Sequence, residues 1–391
     1  MSEPIIIVGA GQAGIKAAET LRMKGHDGGI VLIGEEAWPP YQRPPLSKAY
    51  LKGELSEDRL FLKADDYFAG ANIELMTGAR VAAIDPAAHA VTLAGGRTLR
   101  YSKLLLSTGT RARTLPLPGA ELAGVFTLRG IDDTKRIAAA LDTAGSVAIV
   151  GGGYIGMEFA AVARAMGKAV TVIEAQDRIL KRSVAPEIST FFQDLHAGHG
   201  VRLVLGEGVA GIAGADRVAG VDLTSGETVA ADLVLVAAGA VPVTELAEAA
   251  GLIVQRGIAV DAACRTSAPD VYAAGDCTVF PSRRYGRQVG LESVQNASDQ
   301  GKAAALSMLG EETVYDPVPW FWSDQYDVKL QIAGLAEGYD RTELSGDPGE
   351  GRFALRYFAG DRLLAVDAVN DPRSHMLARK QLAATGQAMA A

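Results

Sequence analysis

Apolar residues along this chain gather in short unbroken runs rather than in long stripes. Ile5–Val8 is such a run and ends at Gly9, which predicts a strand buried on both faces of a parallel sheet. A helix follows, opening near Gly11–Gly14 and running to about Lys24. GIVLIGEE, residues 29–36, is a second strand with acids at its carboxyl end, so the segment is a βαβ unit. The pattern returns at Val147–Val150, a helix after Gly156, and AVTVIEA, residues 169–175. It extends further. Residues 89–109 hold a hairpin around Gly95–Gly96 and an apolar strand ending at Thr108–Gly109. Residues 220–239 hold a hairpin around Ser225–Gly226 and the run Leu233–Ala237, ending at Gly239. Repetition at so long a period predicts two related nucleotide-binding halves.

Beyond Gly239 the pattern changes. VYAAGDC predicts another strand entering a tight turn at Ala274–Cys277, and ESVQNASDQGKAAALSMLG a helix stopped by Gly310. Pro317 and Pro319 mark a boundary. Residues 352–369 form a predicted antiparallel hairpin turning at Ala359–Gly360–Asp361. The expected fold class is α/β: two Rossmann-like dinucleotide-binding domains plus a small C-terminal α+β domain.

Length and charge narrow the function. A chain of 391 residues, 48% of them hydrophobic, exceeds a single core. A net charge of −8 argues against a nucleic-acid partner. Two cysteines, Cys264 and Cys277, in no metal-type spacing suit a reducing cytoplasm. The N-terminus lacks the charged region and cleavage site of a signal peptide, and no apolar run reaches membrane-spanning length, so no membrane association is expected.

The chemistry lies in the two glycine turns. In Gly9-x-Gly11-x-x-Gly14 the first glycine permits the tight turn. The second lets backbone approach a pyrophosphate, and the third lets helix and strand pack closely. The helix N-terminus favours the anion, and Glu35 is placed to bond ribose hydroxyls. Gly151-x-Gly153-x-x-Gly156 repeats the case with Glu174. A carboxylate there accepts a free 2′-hydroxyl and repels a 2′-phosphate, which predicts NADH over NADPH. Arg178 and Arg182, just beyond, are the residues able to weaken that preference.

The sequence resembles the FAD-dependent, NADH-using ferredoxin reductases of bacterial oxygenase systems, the putidaredoxin-reductase type within the glutathione-reductase-like flavoproteins. The resemblance rests on RPPLSKAYL (43–51), STG (107–109), GGGYIGMEFA, VYAAGDC, ESVQNA and PWFWSDQYDVKLQIAGL (319–335). It implies FAD in the first half and NADH in the second. It assigns Ala13, Glu35, Arg43, Lys48, Val81, Thr108, Gly109, Arg129, Asp276 and Val294 to FAD, and Tyr154, Ile155, Glu158 and Glu174 to NADH. Val81 would present backbone to the adenine, Lys48 and Arg129 positive charge, and Asp276 an acceptor to ribityl hydroxyls. Val294 would bring a helix N-terminus to the flavin N1–O2 edge. Lys48 and Glu158 are expected to pair beside flavin N5 as the catalytic pair, because an unpaired buried charge is costly. No cysteine precedes Cys264, so thiol redox chemistry is not expected. The pair His196 and His199 sits at a predicted helix end, and no metal is expected.

The implied domains are 1–115 with 245–315 for FAD, 116–244 for NADH, and 316–391 as an interface domain. The implied reaction moves a hydride from NADH to FAD and electrons singly to a [2Fe–2S] ferredoxin, serving a cytochrome P450 or Rieske-type oxygenase. The alternatives are an NADH oxidase or peroxidase of the same fold, or an NADH-sensing flavoprotein without turnover. Arg283, Arg284 and Arg287, with Trp320 and Trp322, are the expected ferredoxin patch. Strand alternation puts the two tryptophans on one face and Phe321 on the other.

Overall fold

The computed structural model describes residues 3–388. In chain order the elements that position the site are β1 (Ile5–Val8), α1 (Gln12–Met23), β2 (Ile30–Ile33), β3 (Ile73–Met76), β4 (Lys103–Leu106), β5 (Val125–Phe126), α2 (Ile131–Thr143), β6 (Ser146–Val150), α3 (Tyr154–Ala165), β7 (Ala169–Glu174), α4 (Pro186–Gly198), β8 (Arg202–Leu205), β9 (Leu233–Val236), β10 (Val271–Ala273), α5 (Val294–Met308), β11 (Trp320–Gln325), β12 (Val328–Gly334), β13 (Arg341–Asp347), β14 (Arg352–Ala359), β15 (Arg362–Val369) and α6 (Pro372–Ala388).

Two five-stranded sheets carry the repeat, in the orders β10-β4-β1-β2-β3 and β5-β9-β6-β7-β8. All their ladders are parallel, with Ile5 opposite Ile30 and Val147 opposite Val170. The central strands β1 and β6 occupy equivalent places. Their apolar runs are continuous because both faces are covered: those of β6 by helix residues such as Phe159 and Phe192 on one side and by Val221 and Val229 of the three-stranded antiparallel sheet on the other. The two antiparallel three-stranded sheets also recur, within residues 81–100 and 209–230. The stretches following β4 and β9 pair with each other, Ala112 opposite Ala240, and tie the halves together.

The last unit is one antiparallel sheet in the order β11-β12-β15-β14-β13, with α6 packed across it. The β14–β15 hairpin turns at Gly360, as its sequence predicts. Its buried face joins a core containing Met157, Phe159 and Phe192 of the second half and Leu46 and Leu60 of the first. Among the described residues no helix is long and apolar enough to cross a membrane.

Candidate active site

The helices α1 and α5 pack side by side, Gln12 bonded to Ser298 near their first turns and Lys24 paired with Glu311 just past their last, with both N-termini at the carboxyl edge of the first sheet. A Cβ on Gly301 would fall 2.4 Å from the carbonyl oxygen of Ala13, so a glycine is required where the two backbones touch. The N-termini of both helices open into a cavity of about 1090 Å³. Its walls include Gly9, Gly11 and Ala13, then Glu35, Val81, Thr108 and Gly109, and on the far side Asp276 and Val294.

The glycines of the two turns behave alike. Gly9 and Gly151 adopt φ of +112° and +115°. A Cβ on either would collide with the next strand's end, 2.1 Å from Ser107 O and 2.4 Å from Ala237 O. A Cβ on Gly14 or Gly156 would fall 2.0 or 2.2 Å from the carbonyl oxygen of Gly9 or Gly151. Gly11 and Gly153 differ from these, since a Cβ there would meet nothing within 4 Å. They sit as helix N-caps with extended backbone and no side-chain cap, leaving the first N–H groups for an anion.

The cavity's polar wall comes from segments far apart in sequence. Arg43 donates to Tyr41 Oη at 2.6 Å and to the Arg129 carbonyl at 2.8 Å, and it is ion-paired with Glu36. Asp133, at the start of α2, accepts the Arg129 and Gly130 N–H groups at 2.9 and 3.0 Å and so fixes the Arg129 backbone. The Arg129 guanidinium reaches Asp276 at 3.5 Å, while its buried Nε has no protein partner. Burial and the neighbouring Arg43 lower Arg129 from its ordinary value. Burial pushes the Asp276 carboxyl up to about 6; Arg129 opposes this and Glu292 reinforces it. An orphaned guanidinium N–H and two open helix ends fit an anionic dinucleotide. Val294 is the first residue of α5, whose cap Ser293 accepts the Asn296 N–H at 3.1 Å. Glu35 is largely exposed on the rim, 3.7 Å from Arg80.

Between the halves stands a buried ion pair. Lys48 Nζ lies 2.7 Å from Glu158 Oε2, with side chains 21% and 6% exposed. Lys48 leaves the short 3₁₀ turn at Pro44–Ser47, and Glu158 lies one turn into α3. Two hydroxyls complete the carboxylate: Ser47 donates to Oε2 and Ser323 to Oε1, each at 2.8 Å. The lysine charge is thus neutralised locally rather than directed at a phosphate. Neither serine was singled out by the sequence, where both read as isolated polar residues. Both cysteines are buried, and burial raises each thiol above its ordinary value. Neither is among the residues lining the cavity.

In the second turn, Glu174 accepts the Gly152 N–H at 2.7 Å and the Gln176 N–H at 2.8 Å, which aims it along the turn. Arg178 is bound to Val184 O at 2.9 Å and Ser189 Oγ at 2.5 Å, and so is engaged within its own loop. Tyr154 packs against Phe321 with ring centroids 4.7 Å apart, and Ile155 is exposed at the cavity's edge.

The expected docking patch needs correction. Arg284 is buried, donates to the Leu382 carbonyl of α6, and accepts from Arg362 through its own carbonyl. Arg287 is ion-paired with Glu337. An arginine run reads as solvated surface, but the antiparallel hairpin that carries it, residues 278–289, folds against the last sheet. Of the three, Arg283 remains exposed. Trp320 and Trp322 share a face, with rings 5.8 Å apart, and Phe321 takes the other. Among the described residues no group of three or more His, Cys, Asp or Glu side chains is arranged to hold a metal.

Residues 3–301 match the family model described as pyridine nucleotide-disulphide oxidoreductase, and residues 320–391 the one described as reductase C-terminal. The chain belongs to the pyridine nucleotide-disulphide oxidoreductases. Within that family it is 45% identical to rhodocoxin reductase of Rhodococcus erythropolis over 97% of this chain and 89% of that one. It is 44% identical to the 5,5′-dehydrodivanillate O-demethylase ferredoxin reductase subunit of a Sphingobium strain, over 96% and 92%. The structure of the covalent putidaredoxin reductase–putidaredoxin complex matches with a TM-score of 0.94 at 38% identity, covering 97% of this chain and 93% of that one. Its shared oxidoreductase fold accounts for the two sheets, and the reductase C-terminal module for the last one.

Proposed function

We propose that the protein is an NADH-dependent, FAD-containing ferredoxin reductase supplying electrons to an oxygenase or cytochrome P450. The observation that carries the reading is the single cavity reached by the first glycine turn and by the opening of α3, with the Lys48–Glu158 pair where the halves meet and no cysteine in its wall. FAD, when bound, accepts a hydride from NADH and passes electrons singly to a [2Fe–2S] centre. Segments 1–115 and 245–315 hold FAD: Gly11 and Ala13 at the pyrophosphate, Glu35 at a ribose, Val81 at the adenine, and Arg43, Thr108, Gly109, Arg129, Asp276 and Val294 along the rest. Segment 116–244 holds NADH through Gly153, Tyr154, Ile155 and Glu174. Lys48 and Glu158 orient the facing ends of the two cofactors and exclude water between them. Residues from 316 cover the cavity's third side. The partner is a small acidic ferredoxin, and the compartment is the cytoplasm, which suits two reduced, buried cysteines.

Rapid NADH oxidation in the presence of a [2Fe–2S] ferredoxin, with little in oxygen or peroxide alone, is the expected result. Equal turnover with peroxide and no ferredoxin would overturn the reading in favour of a peroxidase, and no turnover with any acceptor in favour of a sensor.

A further inference from the structure

One face of β11 is polar where a sheet packed on a helix is usually apolar. Phe321, Ser323 and Gln325 alternate onto that face. Opposite them stand Tyr154 and Glu158, one turn apart on α3, and His196 of α4. Ser323 and Gln325 are fully buried, and so is His196. A chain of hydrogen bonds joins them: His196 Nε2 to Gln325 Oε1 at 2.8 Å, Gln325 Nε2 to Ser323 Oγ at 3.2 Å, and Ser323 Oγ to Glu158 Oε1 at 2.8 Å.

The direction of the chain follows from its end. The Glu158 carboxylate only accepts, so the single Ser323 proton points to it. Ser323 Oγ must then accept from the next residue, which turns the Gln325 amide nitrogen toward it. The Gln325 oxygen therefore faces His196, whose Nε2 must carry the proton. Every donor points toward Glu158, and a run of aligned dipoles strengthens the last bond of the series.

We propose that Ser323, Gln325 and His196 are positioning residues for the Lys48–Glu158 pair, so that the last domain completes the polar site between the cofactors. The inference rests on the role given to that pair above. His196 suits the far end because burial holds its ring neutral, with a pKa lowered to about 4; Gln325 opposes that shift and His199 adds to it. The other groups facing His196 are Tyr326, whose hydroxyl is 3.4 Å from Nδ1, and His199, which stacks on the Tyr326 ring at 3.7 Å. Around Glu158 the facing groups are Lys48, Ser47, Ser323 and Tyr154.

The test uses ring-¹⁵N-labelled histidine in the FAD-loaded protein, where five histidines give a resolvable set. The wild type is expected to show His196 as the Nε2–H tautomer throughout pH 6–8. In E158Q, Lys48 and Ser47 retain the amide oxygen, so the amide NH₂ turns to Ser323. Each bond of the chain then reverses, and His196 converts to the Nδ1–H tautomer. An Nδ1–H tautomer in the wild type, or an unchanged ring in E158Q, overturns the chain. In stopped flow, S323A is expected to slow flavin reduction by NADH about three- to tenfold, the loss of part of one charge-assisted hydrogen bond, and S323T to restore it. Equal rates in S323A and wild type overturn the positioning role. Separately, unchanged flavin reduction in both K48A and E158A would refute the role of the ion pair itself. The tautomer result would then stand as a structural property alone.

Discussion

Asp367 on β15 is fully buried behind the second glycine turn, close enough to Tyr154 for its charge to act on that phenol. Tyr357 donates its hydroxyl to one carboxylate oxygen, and the other, Oδ1, has no partner. Burial, opposed by that hydroxyl, pushes the carboxyl from 3.8 up to about 7. Each pKa unit is worth about 1.4 kcal/mol, so an ionised Asp367 at pH 8 costs the folded chain about 4 kcal/mol. The sign follows from the raised folded value. The stabilising contribution is complete below the unfolded value near 4 and is lost as pH rises through 7. Replacing Asp367 with Asn removes the titration and leaves a group of the same shape for Tyr357. Urea unfolding of wild type and D367N, followed by tryptophan fluorescence, two of whose three reporters, Trp320 and Trp322, lie in the same sheet, should give a stability difference that moves by about 4 kcal/mol in favour of D367N between pH 4 and pH 8. A difference that stays constant across that range would refute the argument.

Three further outcomes are expected. G11L should fold normally and lose FAD, because its Cβ meets no protein atom within 4 Å but stands where the pyrophosphate would lie; normal FAD retention, read from the visible spectrum, would contradict the first turn's role. E174A should lower kcat/KM for NADH about tenfold, the worth of one hydrogen bond, and narrow the gap with NADPH, and equal use of the two reductants by the wild type would remove the basis of the assignment. R283E should slow ferredoxin reduction at low salt and flatten its ionic-strength dependence without affecting a small artificial acceptor, whereas indistinguishable salt profiles would place docking elsewhere.

The glycine turns and the repeat were legible because each is encoded locally, by a β-branched run and fixed glycine spacing. The Lys48–Glu158 contact was legible for a different reason: two charges heading for one buried place need each other. The serines and the glutamine around Glu158 carry no such signal. Ser47, Glu158, His196, Ser323 and Gln325 belong to separate segments that only the packed fold assembles. The Glu36–Tyr41–Arg43 cluster was missed likewise, since a lone acid and a lone tyrosine in a loop predict nothing until Arg129 is placed beside them. Arg284 failed in the opposite direction, because charge density suggested solvent where a carbonyl of the last helix was waiting.

The strand order bears on how the chain is made. The second sheet draws all five strands from residues 125–236, so it can close as soon as that stretch leaves the ribosome. The first cannot. Its outermost strand is Val271–Ala273, and until that arrives β4 has an open edge along Lys103–Leu106, three of whose residues end fully buried. The earlier-made half is therefore the later to finish, and for well over a hundred residues of synthesis the nascent chain carries an apolar strand paired along one edge only. A truncation before residue 271 should leave that edge as a site for self-association, with the inserted half already folded beside it.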